Sequence, residues 1–485
     1  QSIYSWRGAN IFNILNFEKD FPESRVIKLE QNYRSTQNII GAASAVIANN
    51  SQRKGKTLFT ENPPGDLLEI LESPTEYDEA LNITYTIQKL IEQTDLSYSD
   101  IAIFYRTNAQ SRVLEEKLRQ FDIPYKIYGG LKFYDRKEIK DINAYMRLVV
   151  NPKDDVSFRR VINTPTRGLG KTTLEKIENL SREMNLSLIE ASIQIMDSKT
   201  LTARTKNKLG SFLDILTHLR QACEEKGLTD FYHELLQVTQ YLPTLENDGT
   251  VEANSRIQNL EEFGNAIARY LELHPEEQHI TEFLHHMALV SDSDAEKDDP
   301  NTVTMMTLHI AKGLEYPAVF VSGLEEGLFP HVASSDLNDP GDFEMEEERR
   351  LFYVGMTRAE QKLYLSYSKQ RKVWGQNQFQ SPSRFISEVP EEFLKTRLSR
   401  RKPSSFVERY QEPKVVNDPF PDYESGDGGS DGSPYRQGTR VYHPHFGSGV
   451  IHKVEGQGSK EKISVLFDDR TLKKFLSQYA NLELN

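Results

Sequence analysis

Apolar and polar positions along this chain change period three times. Between residues 26 and 128, short apolar runs alternate with i, i+3, i+4 spacings. Val26, Ile27 and Leu29 read as a buried strand, 37–49 as a helix that Ser35 or Thr36 would cap, 67–72 as a strand, and 78–92 as an amphipathic helix. The runs at 101–105 and 123–128 read as further strands, the first apolar throughout. Continuous apolar strands separated by helices are the rhythm of a parallel sheet covered on both faces. From Gly129-Gly130 to about residue 298, long helical patterns at 136–150, 209–225 and 253–273 replace that rhythm. Strands resume at 303–309 and 318–322, followed by a helical stretch running up to Arg358 and a strand at 362–367. The pattern predicts an α/β domain interrupted by an all-helical insertion, with its paired connections at Gly129-Gly130 and 292–301 forming a hinge. Beyond Arg384 the chain turns basic and polar, and 393–437, rich in Ser, Pro, Gly and Asp, reads as a disordered linker. The last stretch, 438–485, holds short strands with glycine turns, which predicts a small SH3-like or Tudor-like β-barrel.

Composition narrows the chemistry. A chain of 485 residues exceeds one compact core. Its 72 acidic residues outnumber 59 basic ones, so any nucleic-acid site has to be a local basic and aromatic track rather than a bulk charge effect. The one cysteine, Cys223, excludes an internal disulfide framework and a cysteine-rich metal site. No apolar run has the length of a membrane span and no signal peptide opens the sequence, which gives the expectation of a cytoplasmic, nucleoid-associated protein. The chain begins without Met, inside a motif, so a fragment is expected.

Candidate chemistry clusters where predicted strands end. Residues 1–10, QSIYSWRGAN, place an amide, two aromatics and an arginine before a glycine, a run able to hold a phosphate at one end and stack a base at the other. Tyr33 and Arg34 follow the predicted strand at 26–29, at the carboxyl end where open α/β sheets bind ligands. Arg106, Asn108 and Arg112 leave the strand at 101–105 and suit backbone-phosphate contacts. Thr307 and His309 end the strand at 303–309, followed by Lys312, Gly313 and Glu315, and His331 sits on a later loop. Arg358, near a helix end, suits a phosphate oxygen where negative charge develops. Trp374 is a candidate for base stacking, with ordinary packing as the alternative. The stretch 164–173, TPTRGLGKTT, invites a P-loop assignment, but Pro165 stands where the loop needs glycine. It reads better as a Gly168-Leu169-Gly170 turn into a helix whose free N–H groups, with Arg167 and Lys171, grip a duplex backbone without reading sequence.

In this order and spacing the pieces resemble the second half of a superfamily 1A DNA helicase of the PcrA, UvrD and Rep family, PcrA most of all. QSIYSWRGA resembles motif III, LEQNYRST motif IV, YRTNAQSR a neighbouring DNA-contacting element, GGLKFYDRKEIKDI the opening of the helical subdomain, TLHIAKGLEYPAVF motif V and RRLFYVGMTRAE motif VI. The resemblance implies the end of a first RecA-like domain at 1–29, a second at 30–128 and 299–392, a helical insertion with a helix-hairpin-helix-like element at 129–298, and a Tudor-like domain after the linker.

The resemblance also implies roles. Gln1 would sense the terminal phosphate of ATP, Arg34 and Arg358 would stabilise the transferring phosphoryl group, Tyr33 would stack on adenine and Glu315 would hold the ribose. Tyr4, Trp6, Arg7, Arg106, Asn108, Thr307, His309, His331 and Trp374 would line a single-strand track, and Gly168, Gly170 and Lys171 would touch duplex DNA. ATP and Mg2+ are the implied cofactors, with the P-loop and the magnesium-binding Asp-Glu pair expected upstream of Gln1, so that these residues alone would be inactive. Single-stranded DNA, single-strand to duplex junctions, the missing helicase part, RNA polymerase through the Tudor-like domain and a second copy are the implied partners. A non-catalytic module binding DNA and RNA polymerase, and the helicase part of a helicase-nuclease, are the alternatives.

Overall fold

The structure is a computed structural model that describes residues 3–4, 12–51, 55, 58–276, 279–292, 299–331, 343–395, 439–443, 447–455, 462–467, 472–476 and 483–484. The chain divides into two compact units, Gln1–Arg400 and Arg401–Asn485.

Near the start, α1 (Phe12–Leu15) and α2 (Phe17–Asp20) are single turns either side of Asn16. The strand expected at 26–29 does not form. Ile27 and Leu29 are 72% and 78% exposed, and among the described residues no strand runs beside them. A β-strand owes its conformation to a ladder with a neighbour, so an apolar run without one stays irregular.

The helix α3 (Gln37–Ala48) starts after Thr36, which occupies the cap position without a side-chain capping bond. Next come β1 (Leu68–Thr75), α4 (Glu76–Gln93), β2 (Ile101–Tyr105), α5 (Ser111–Gln120) and β3 (Tyr125–Ile127). The α4 helix starts where the Thr75 side chain accepts from the Asp78 N–H, and it lays Ala80, Ile83, Ile87 and Leu90 on the sheet at helical spacing. In β2, Ile101, Ile103 and Tyr105 pack with α4 and α5, while Ala102 and Phe104 point into the opposite core beside α3. Burial on both faces is why this strand reads as an unbroken apolar run.

Between β3 and the next strand the described residues form only helices: α6 (Lys137–Val150), α7 (Asp155–Val161), α8 (Lys171–Met184), α9 (Leu188–Ile195), α10 (Ala203–Glu225), α11 (Leu228–Val238), α12 (Tyr241–Asp248), α13 (Val251–Leu273) and α14 (Ile280–Asp292). They share a core around Phe158, Phe212, Phe231, Phe263 and Phe283. This helical body is sewn to the sheet through α13. Arg112 of α5, 1% exposed, donates to Glu262 at 2.7 Å, and Arg136 donates to Asn259 and Ser111, each at 2.7 Å.

The chain then returns through β4 (Val303–Thr307), β5 (Tyr316–Val321), α15 (Phe343–Met356), β6 (Ala359–Val373), β7 (Gln376–Phe379), α16 (Arg384–Ser387) and β8 (Leu394–Lys395). The sheet order is β3-β4-β2-β5-β6-β1-β8, parallel throughout, with β7 turning back antiparallel on β6. Pairing of Leu394 and Lys395 with β1 carries the sheet past residue 393, where the composition shift predicts the linker to begin.

The second unit is an antiparallel sheet of β9 (Arg440–His443), β10 (Gly447–Glu455), β11 (Lys462–Phe467), β12 (Leu472–Leu476) and β13 (Glu483–Leu484), in the order β12-β11-β10-β9-β13. Val441, Ile451, Ile463 and Val465 are its buried residues among those described.

Candidate functional site

Two edges of the parallel sheet gather the candidate residues, and they are opposite edges. At the amino ends of β5 and β6, Arg34, Glu315 and Arg358 meet around Thr357. The Arg34 Nε donates to Glu315 Oε2 at 2.6 Å and its Nη1 to the Thr357 carbonyl at 3.0 Å. Arg358, 5% exposed, donates to the carbonyls of Val354 and Leu314 and to the Thr357 hydroxyl, at 3.0, 3.2 and 3.1 Å. Burial, and then the positive charge of Arg34, pull the Arg358 guanidinium down to about 10. The loop carrying Arg34 is fastened to β6 by the Ser35 hydroxyl on the Ala359 carbonyl (2.6 Å) and the Thr36 N–H on that of Glu360 (3.0 Å). Tyr33 stands 78% exposed beside the cluster, its hydroxyl on the Gln31 side chain. The cluster corrects the expectation that Tyr33 and Arg34 follow a strand at its carboxyl end: that strand is absent, and β5 and β6 present their amino ends here.

At the carboxyl ends of β2 and β4 lie Arg106, Asn108, Thr307 and His309. The Tyr4 hydroxyl donates to the His309 carbonyl at 2.9 Å, its ring stands 6.3 Å from the His309 ring, and the Lys312 ammonium lies 5.3 Å from its centre. Asn108 is exposed. Arg106 is not open to a phosphate in this arrangement. Glu348 holds it through both carboxylate oxygens, at 2.8 to 3.1 Å, and also accepts the His331 N–H at 2.9 Å. Gln1, Trp6 and Arg7 lie outside the described residues.

In the helical body, Gly168 adopts φ +73°, the left-handed region that favours glycine, with the end of the flexible Lys208 side chain beside it. Gly170 precedes α8, and Lys171, with 89% of its side chain exposed, makes a loose 3.8 Å pair with Glu175. Arg167 departs from the expected role of gripping a duplex. Its guanidinium is turned inward onto the carbonyls of Val161, Thr164, Pro165 and Thr239, at 3.0 to 3.4 Å. Trp374 likewise is no open stacking platform here. The indole is half-buried against the helical core, 5.6 Å from the His233 ring.

The family description UvrD-like helicase C-terminal domain matches residues 27–370, most of the first unit. This chain belongs to the UvrD-like helicase C-terminal domain family. A second description, PcrA/UvrD tudor domain, matches 438–483. The protein of Bacillus subtilis named ATP-dependent DNA helicase PcrA is 42% identical over 492 residues, covering 100% of this chain and 66% of its own length. Its namesake in Staphylococcus epidermidis is 40% identical over 481 residues, covering 99% and 65%. The chain thus spans about two thirds of the length of these relatives. Among solved structures, the C-terminal domain of a possible DNA helicase from Lactobacillus plantarum covers 75% of this chain and 97% of its own, at 10% identity and a TM-score of 0.28, a likeness too loose to bear on the fold.

This UvrD-like helicase C-terminal domain also holds buried charges that sequence reading missed. Arg371 of β6 lies between Glu325 (2.7 Å) and Glu79 (2.8 Å); Glu79 also accepts from the Gly323 N–H and the Ser366 hydroxyl, and Glu325 from Ser368. Burial raises the Glu79 carboxyl, whereas the Arg371 charge and hydrogen bonds hold Glu325 low despite its burial. The charged residues of β6 read locally as an exposed strand end, and only α4 and the turn after β5 reveal them as a core network. Glu348 likewise closes an acidic run at 336–348, where nothing local singles it out from its neighbours. Among the described residues no group of His, Cys, Asp and Glu is placed to hold a metal ion, and no helix is long and apolar enough to cross a membrane.

Proposed function

We propose that this chain is the C-terminal part of an ATP-dependent DNA helicase that moves 3′ to 5′ along single-stranded DNA. The single observation that carries the reading is the pair of guanidiniums sharing Thr357. Arg34 and Arg358 are close enough for one to depress the other's proton affinity, and a polyphosphate between them would relieve that repulsion. The donor set fits ATP: Arg34 and Arg358 for phosphoryl oxygens, exposed Tyr33 for the adenine face, and Glu315 for a ribose hydroxyl once it leaves Arg34. ATP when bound, with Mg2+, supplies phosphoryl-transfer chemistry; Gln1 is assigned to sensing its terminal phosphate.

Residues 307–315 join the two edges. Thr307 and His309 stand at the carboxyl edge and Glu315 at the amino edge, so a shift of this segment couples nucleotide state to the strand track. That track is assigned to Tyr4, Trp6, Arg7, Arg106, Asn108, Thr307, His309, His331 and Trp374, with Glu348 releasing Arg106 when a phosphate replaces it. Gly168, Gly170 and Lys171 are assigned to duplex contacts from the helical body. The matched regions support reading the sheet as a second RecA-like domain, the helices as its insertion, and the terminal sheet as a Tudor-like domain that binds RNA polymerase. The name shared by the relatives supports ATP and DNA as ligands.

In the full-length protein, Arg34→Ala or Arg358→Ala should abolish DNA-stimulated ATP hydrolysis while leaving oligothymidylate binding within about twofold. Unchanged turnover removes the assignment. Recovery of RNA polymerase with and without 438–485 tests the Tudor-like partner, and equal recovery removes it.

A further inference from the structure

The turn between β6 and β7 consists of Trp374 and Gly375, both left-handed at φ +49° and +79°, since Val373 pairs with Gln376. Two-residue turns of this hand match the twist of a hairpin, but they favour Asn, Asp or Gly, and a tryptophan there needs outside support. Asn265 of α13, 2% exposed, supplies it. Its Nδ2 donates to the Lys372 carbonyl at 2.9 Å, its Oδ1 accepts the Gly375 N–H at 2.7 Å, and Glu262 holds the amide from behind at 2.9 Å. Lys372 pairs with Glu272 of the same helix. The indole lies over Gly264, where an added Cβ would stand 3.7 Å from it and 3.2 Å from Tyr232. Backbone strain of this kind, held by a buried polar clamp, marks a position that the surroundings over-determine.

We propose that Asn265 is the positioning residue for Trp374: it clamps the turn so that the indole is seated against the helical body, and the ring reaches a nucleic-acid base only when the turn leaves that seat. The proposal rests on the reading of Trp374 as a base-stacking residue. Movement of α13 relative to the sheet would then decide how much of the population has a free ring.

The test uses the protein at full length labelled with 5-fluorotryptophan, whose 19F lines are assigned by the one that Trp374→Phe removes. Without DNA, Asn265→Ala should move the Trp374 line toward free 5-fluorotryptophan and enlarge its solvent isotope shift. Asn265→Asp, which keeps an acceptor for the Gly375 N–H but loses the donor to the Lys372 carbonyl and sets a carboxylate beside Glu262, should move it the same way. Oligothymidylate should bind Asn265→Ala severalfold tighter than the parent, and bind Trp374→Ala about fivefold or more weaker than the parent. A Trp374 line unmoved in both folded seat variants overturns the clamp. A moved line with identical oligothymidylate affinity in all four proteins overturns the base-stacking role of Trp374, and the proposal with it.

Discussion

Arg34 and Glu315, 281 residues apart in the chain, meet at 2.6 Å. With 57% of the Glu315 side chain exposed, solvent screens the pair, so its contribution to stability is small. Glu315→Gln should change the urea unfolding free energy by less than about 1 kcal/mol. Arg358→Ala, which strips three hydrogen bonds from a buried guanidinium, should cost about 2–3 kcal/mol. The full-length Arg358→Lys variant avoids an empty site and should still lose roughly a thousandfold in kcat for ATP. Equal stability losses for Glu315→Gln and Arg358→Ala would contradict the burial difference.

Arg167 and Lys171, four residues apart, should separate cleanly. Arg167→Ala leaves the carbonyls of Val161, Thr164, Pro165 and Thr239 without their shared donor and should destabilise the first unit by about 2–3 kcal/mol in denaturant melts. Lys171→Ala should leave the melt within about 0.5 kcal/mol and weaken duplex binding in a salt-dependent manner.

Arg371→Met removes the cation between Glu79 and Glu325 and should cost about 3–5 kcal/mol at neutral pH. Glu79 then rises further and Glu325 loses the charge that holds it low, so the folded variant binds more protons than the folded parent, and its deficit should shrink as pH falls. Thermal midpoints of parent and variant between pH 5 and 8 should therefore converge toward the acid end.

Glu261, half-buried and beside the charge of Glu262, is pushed up to about 7 by desolvation and then by that neighbouring charge. An acid raised by folding stabilises in its protonated form, so its contribution is present at low pH and is lost as pH rises from the unfolded carboxyl range through about 7. Glu261→Gln should be close to neutral at pH 5 and stabilising at pH 8. Discounted for partial solvent contact, the gain is about 1–2 kcal/mol. A gain of equal size at both pH values would show that the carboxyl does not titrate there.

Sequence legibility followed the range of the interactions. The runs at 101–105 and 303–309, and the helices at 136–150 and 253–273, are visible because both faces of a buried strand, or one face of a helix, leave a local period. The run at 26–29 has the same local character and forms no strand, because a strand needs a partner and the period does not state whether one is present. Arg167 and Arg106 carry the residue type expected of a phosphate contact, yet their guanidiniums are engaged by carbonyls and by Glu348.

Local order of residue types determined the alternation of strands and helices, the helical interruption, the small terminal β unit and the motif strings that identify the family. Tertiary structure alone decided that Arg34, Glu315 and Arg358 share the amino edge, that Arg371 bridges two buried carboxylates, and that the turn carrying Trp374 is bonded to Asn265. The physical reason is that period is written within a few residues, whereas the hydrogen-bond partners and burial of these groups are set by contacts between separate segments, 281 residues apart for Arg34 and Glu315 and 107 for Asn265 and Lys372.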